Sequence, residues 1–232
     1  MDRATVAHVS LTYVFLICTV VPLLFGLWAQ FKVKSTFKRY SQVPTASGMT
    51  GAQAAEAVLR NSGVSGVGIR PVAGQLSDHY DPRSKTLNLS EDVGIASTVA
   101  ALGVAAHEAG HAVQDARGYK PMQLRSTLVP AASFGSQVWI FPAFLGLILG
   151  STGLVNVGLV LFLAVVLFQL VTLPVEFDAS HRAIVALEGG GLLAAEELSG
   201  ARKVLQAAAL TYIAALAASI GQLIYFFIAS RR

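Results

Sequence analysis

Residues 126–175 read STLVPAASFGSQVWIFPAFLGLILGSTGLVNVGLVLFLAVVLFQLVTLPV, 50 consecutive positions without Asp, Glu, Lys or Arg. A bilayer core takes about 20 apolar residues per helix and disfavours formal charge. The run is too long for one such helix and right for two joined by a turn, with Gly150-Ser151-Thr152-Gly153 as the natural break. Working outward, 28 uncharged residues separate Arg3 from Lys32 and 27 separate Lys203 from Arg231, each enough for one span. The expected architecture is therefore mainly α and multi-pass, with transmembrane helices over 8–30, 128–150, 154–174 and 206–229. Composition agrees: 54% of the 232 residues are hydrophobic and only 13% charged, against about a quarter charged in an ordinary soluble domain. The same figures exclude a disordered chain. A lone cysteine, Cys18, permits neither an internal disulfide nor a thiolate metal cluster.

The first apolar run exceeds the roughly 7–15 residues of a signal peptide, and it is followed by FKVKSTFKR instead of a small-residue cleavage site. It is expected to persist as an anchor. Of the 17 Lys and Arg residues, eleven lie between Lys32 and Arg125, three between Arg182 and Lys203 and three near the termini. Positive charge favours the cytoplasmic side, which places both long loops there and both termini outside. The net charge of +4 calls for no nucleic acid, because the basic residues flank spans, where they meet anionic headgroups of the lipid bilayer.

The loop over 32–127 reads as a small α+β domain. Thr50 and Gln53 form a capping box, and Asn61-Ser62-Gly63 is a helix stop. Val67, Ile69 and Val72, then Thr86–Leu89 beyond a polar turn at Asp81-Pro82-Arg83-Ser84, predict a two- or three-stranded antiparallel sheet. Ser90 is the expected N-cap of a helix over about 92–116, with Glu91 and Asp92 in its first turn.

That helix carries His107-Glu108-Ala-Gly-His111. Four residues advance a helix by about 400°, so the two imidazoles share a face and can grip one metal ion, while Glu108 stands about 100° round, beside the ion. Two neutral imidazoles leave Zn²⁺ its Lewis acidity, and a nearby carboxylate can take a proton from water. Catalytic zinc needs a third protein ligand. The other histidines are His8, His79 and His181; the acids nearest a span are Glu176 and Asp178. Two spans separate His111 from Glu176, which returns that carboxylate to the side of the bilayer holding His107. Pro174 suits the first turn of a helix that would aim Glu176 at the metal. Residues 175–203 are then a cytoplasmic helical segment bearing the third ligand.

The order of SGMTG, DHYDPRSKTLNLSEDV, AAHEAGHAVQDARGY, LRSTLVP, LVTLPVEFDAS and AAALTYIAAL resembles the neutral zinc metallopeptidases of the YugP type, over about residues 28–220. HExxH, two intervening spans and a following glutamate also resemble the wider membrane-embedded gluzincins such as the HtpX peptidases. The resemblance implies a zincin-like catalytic domain at the cytoplasmic face, one Zn²⁺ per chain on His107, His111 and Glu176, and Glu108 as catalytic acid/base. One departure stands out. The wider group carries an aspartate four residues after the ligand glutamate, to orient a zinc-bound histidine. Here Ser180 holds that place and Asp178 lies two residues on, about 200° away, so the histidine's partner stays open and Asp178 competes with Glu176 as ligand.

The expected activity is that of a membrane-bound metalloendopeptidase, cleaving a polypeptide substrate by zinc-activated water with Glu108 as general base. His79, Tyr80, His181 and Arg182 are candidate donors to the oxyanion. The strand ending at Leu89 is a candidate to accept an extended substrate by strand addition. Two alternatives are weighed. Cleavage within the lipid is disfavoured, because only 14 uncharged residues, Val93–Ala106, precede His107. A non-catalytic membrane scaffold or chaperone with a structural zinc site would have no need of Glu108. The location expected is a bacterial plasma membrane with the site on the cytoplasmic side; substrate identity and oligomeric state are not encoded in any motif.

Overall fold

The computed structural model describes residues 11–231; His8 and the start of the first expected span lie outside the described residues. In chain order the elements are α1 (Leu11–Tyr40, π-helical over Leu16–Val20), α2 (Gly51–Asn61), β1 (Gly68–Val72), β2 (His79–Asp81), β3 (Thr86–Ser90), α3 (Glu91–Gly94), α4 (Val99–Ala116), α5 (Lys120–Ile148, interrupted at Trp139), α6 (Thr152–Gly189) and α7 (Ala195–Ala229). Four of them, α1, α5, α6 and α7, are long and apolar enough to cross a membrane.

The chain divides into two compact units. One comprises residues 11–30, 124–173 and 211–231. Its interior is aromatic: the Trp139 ring lies 4.3 Å from Phe162 and 5.1 Å from Phe226, centroid to centroid, amid Val155, Leu159 and Val166. Its outside is apolar too, with Phe141, Phe144, Ile148 and Val160 exposed, a surface that water would penalise. The turn between α5 and α6 falls at Gly150, whose φ of +64° needs a residue without a Cβ.

The other unit comprises residues 31–123 and 174–210. Its core joins Ala54 and Val58 of α2, Leu87 and Leu89 of β3, Leu102, Ala105 and Ala109 of α4, and Val175, Ala183 and Leu187 of α6. The capping box forms as expected: Gln53 N–H donates to Thr50 Oγ1, and Thr50 N–H donates to Gln53 Oε1. Gly63, at φ +68°, follows the end of α2.

Several local expectations are corrected. The helix expected over 92–116 is two, α3 and α4, because Thr98 caps the second by accepting the Ala101 N–H. Ser90 makes no side-chain cap; its hydroxyl donates to Asp78 instead. The sheet is mixed, not antiparallel. Its order is β1-β3-β2, with β1 parallel and β2 antiparallel to β3. The strand ending at Leu89 is thus the central one, paired on both sides, and cannot accept a substrate strand; β1 and β2 are the edge strands. Finally, Pro174 opens no helix. It lies inside α6, where it cannot donate to the carbonyl four residues earlier.

The approach of α4 to α6 is set by one glycine. A Cβ on Gly110 would stand 2.6 Å from the carbonyl oxygen of Ala179, closer than real side chains come. Gly110→Ala should therefore lower the stability of this unit by about 1–3 kcal/mol, the usual range for overpacking. Thermal unfolding of the metal-free protein checks it; an unchanged midpoint would mean that the helices can part without cost.

Candidate active site

The chain's α4, VAALGVAAHEAGHAVQDA, is rich in alanine, the strongest helix former, and its small residues let α6 approach. Its face toward α6 carries His107 and His111; α6 contributes Glu176, whose residue is only 2% exposed. Glu176 Oε2 lies 3.3 Å from His107 Nε2 and 3.6 Å from His111 Nε2. One ligand atom from each of the three residues lies within 4.8 Å of the other two. Atoms that share a tetrahedral zinc at about 2.0–2.1 Å must stand roughly 3.3–3.4 Å apart. Two imidazole nitrogens and one carboxylate oxygen fit that ion in number and type, and the two oxygen-to-nitrogen distances, 3.3 and 3.6 Å, lie near that spacing.

The far nitrogens of both rings are engaged. His107 Nδ1 lies 3.1 Å from Ser180 Oγ, and His111 Nδ1 lies 3.0 Å from Gln114 Oε1. Gln114 in turn donates to the Val175 carbonyl and to Asp178, and Asp178 receives Arg182. Asp178 thus faces Gln114 and Arg182, while the two imidazoles face Glu176.

Glu108 is buried beside this group and is not one of the three residues that compose it. The Tyr80 backbone N–H of edge strand β2 donates to its Oε2 at 3.0 Å. Its Oε1 has no protein partner among the described residues. The Tyr80 hydroxyl donates to Asp115 at 2.8 Å; burial and that bond hold the phenol well above its ordinary pKa. Burial opposes a charge on His111, but the carboxylates of Glu176 and Glu108 outweigh it and raise the imidazole above its usual value. Burial also raises Asp78, despite the hydrogen bonds from Ser90, and the charge of Glu108 adds to the effect. The field here favours a cation.

The candidate oxyanion donors have other contacts. The His79 ring meets the Ser77 carbonyl, the Tyr80 hydroxyl meets Asp115, and Arg182 lies on Asp178 and over the Tyr119 ring. His181 is exposed on α6. Sequence reasoning missed Gln114. Its signal was there: three residues after His111 it shares that histidine's face of the helix, and a polar side chain on a buried face requires partners.

Fold and site together define a mainly helical protein with a HExxH helix facing a glutamate-bearing helix. The chain belongs to the family described as "Putative neutral zinc metallopeptidase", which matches it over residues 14–231. It is 44% identical over 212 residues to "Putative membrane protease YugP" of Bacillus subtilis strain 168, an alignment that covers 91% of this chain and 94% of that protein. No solved structure matches it.

Proposed function

We propose that this protein is a membrane-bound zinc endopeptidase whose ligands are His107, His111 and Glu176 and whose proton carrier is Glu108. The convergence of two imidazoles on one carboxylate oxygen, 3.3 and 3.6 Å from their Nε2 atoms, with the Glu108 carboxylate beside them and outside that group, carries the reading. Bound there, zinc supplies Lewis acidity that makes water a nucleophile near neutral pH and polarises a carbonyl.

The chain's own residues do the rest. The Tyr80 N–H holds Oε2 of Glu108, which leaves Oε1 to accept the proton lost by the attacking water and return it to the departing amine. Four membrane-length helices and the Lys and Arg residues concentrated in the two long loops support residence in a bacterial plasma membrane with the site on the cytoplasmic side.

The test is metal analysis and hydrolysis by the full chain purified in detergent. We expect one zinc per chain, cleavage of an unfolded polypeptide, loss of both with 1,10-phenanthroline and recovery with added zinc. Purified protein without bound metal, or cleavage indifferent to the chelator, would overturn the proposal.

A further inference from the structure

The pairing of Gln114 with His111 assigns a role to a residue outside the metal group. We infer that Gln114 is a positioning residue that holds the His111 ring with its proton on Nδ1 and a bare lone pair on Nε2, and that Asp178 and the Val175 carbonyl act through it. The inference rests on the reading of His107, His111 and Glu176 as a zinc site, and it concerns the chain before any metal arrives.

Gln114 is 0% exposed, so its amide must find its partners inside the protein. The NH₂ end has two, each 2.8 Å away: the Val175 carbonyl and Asp178 Oδ2. Both are acceptors. Turning the amide over would set its oxygen against two other oxygens, so one orientation is imposed. Arg182 on Asp178 keeps that carboxylate an acceptor. The amide oxygen is then left facing His111 Nδ1 at 3.0 Å, and an oxygen there demands a hydrogen on the ring nitrogen. In the neutral ring Nε2 is then bare, on the side where Glu176 lies, with Oε2 at 3.6 Å, past hydrogen-bond reach.

His107 is held differently. Its Nδ1 meets the Ser180 hydroxyl, which can donate or accept and so commits the ring to neither form. The asymmetry explains how the chain manages without an aspartate at position 180. Asp178, on another face of α6, orients an amide that reaches across from α4, and the amide orients the histidine. A neutral amide also fixes the ring without adding negative charge next to Glu176 and Glu108. Because it bonds the Val175 carbonyl, one residue before Glu176, the same side chain ties the two ligand-bearing helices together.

Two measurements on the full chain in detergent test this. The first is ¹⁵N NMR of histidine-labelled, metal-free protein at a pH where the ring is neutral, with His111 assigned by its loss in His111→Gln. A protonated Nδ1 and bare Nε2 are expected; the opposite tautomer overturns the inference. The second is zinc affinity, by competition with a chelator, for Gln114→Met, which keeps the length and loses every hydrogen bond. The dissociation constant should rise about 10–100-fold, and the His111 signal of the metal-free variant should become a mixture of tautomers. A folded Gln114→Met chain with unchanged affinity and an unchanged tautomer overturns the inference; should that variant fail to fold, the wild-type tautomer decides alone. A wild-type chain that takes up no zinc defeats the peptidase proposal, while the NMR result still decides the role of Gln114.

Discussion

Glu108→Gln is expected to bind one zinc per chain and to lose about 10²–10⁴-fold in the rate of peptide cleavage, the usual contribution of a positioned proton carrier. The substitution keeps the shape of the side chain and an oxygen that can accept the Tyr80 N–H, the bond Glu108 makes at 3.0 Å. It removes only the capacity to take up a proton at neutral pH. Since Glu108 is not among the three residues of the metal group, metal content should not change. Steady-state cleavage of an unfolded polypeptide, with zinc measured on the same preparation, gives both readings. Full activity in the variant would remove Glu108 from the mechanism, and loss of zinc would mean that it holds the metal directly. A scaffold with a structural zinc would show no loss of function at all.

The second large effect is at Glu176. Glu176→Gln should weaken zinc binding by more than the 10–100-fold typical of a residue that merely orients a ligand, and cleavage should disappear with the metal. In the proposed site the carboxylate is the third donor, its Oε2 3.3 and 3.6 Å from the two Nε2 atoms; a neutral amide is a poor substitute for it. Asp178→Asn serves as the comparison, because the Asp178 carboxylate bonds Gln114 and Arg182 and its loss should have the smaller effect. Dialysis against a graded chelator followed by metal analysis ranks the two. If Asp178→Asn lost the metal and Glu176→Gln kept it, the assignment of the third ligand would be reversed.

Much of the architecture was legible because its signals are local or counted along the chain. Uncharged runs mark the four long apolar helices, since a hydrophobic helix long enough to cross a bilayer has to be written out continuously. Thr50 and Gln53 announce α2 because a capping box closes within a single turn. The spacing of His107 and His111 is set by helical pitch. What failed depended on competition between neighbours. Ser90 looked like a cap, but Asp78 took its hydroxyl; Thr98, eight residues on, capped the helix instead. Pro174 looked like a start, but the helix runs on both sides of it. The parallel pairing of β1 with β3 joins strands separated in the chain, and no turn motif announces it.

The order and type of residues alone were enough to establish an apolar helical protein with two histidines one turn apart and an acid beside them, because each of those properties depends on separations of a few residues or on the length of a run. Which carboxylate faces the imidazoles, and what orients those rings, was decided only when α4 and α6 came together at Gly110, where backbone meets backbone. Residues 69 positions apart, His107 and Glu176, stand 3.3 Å from each other there. No local rule reaches that far, and the Gln114 bridge between the same two helices exists only once their packing has closed off water and left a buried amide to find its partners.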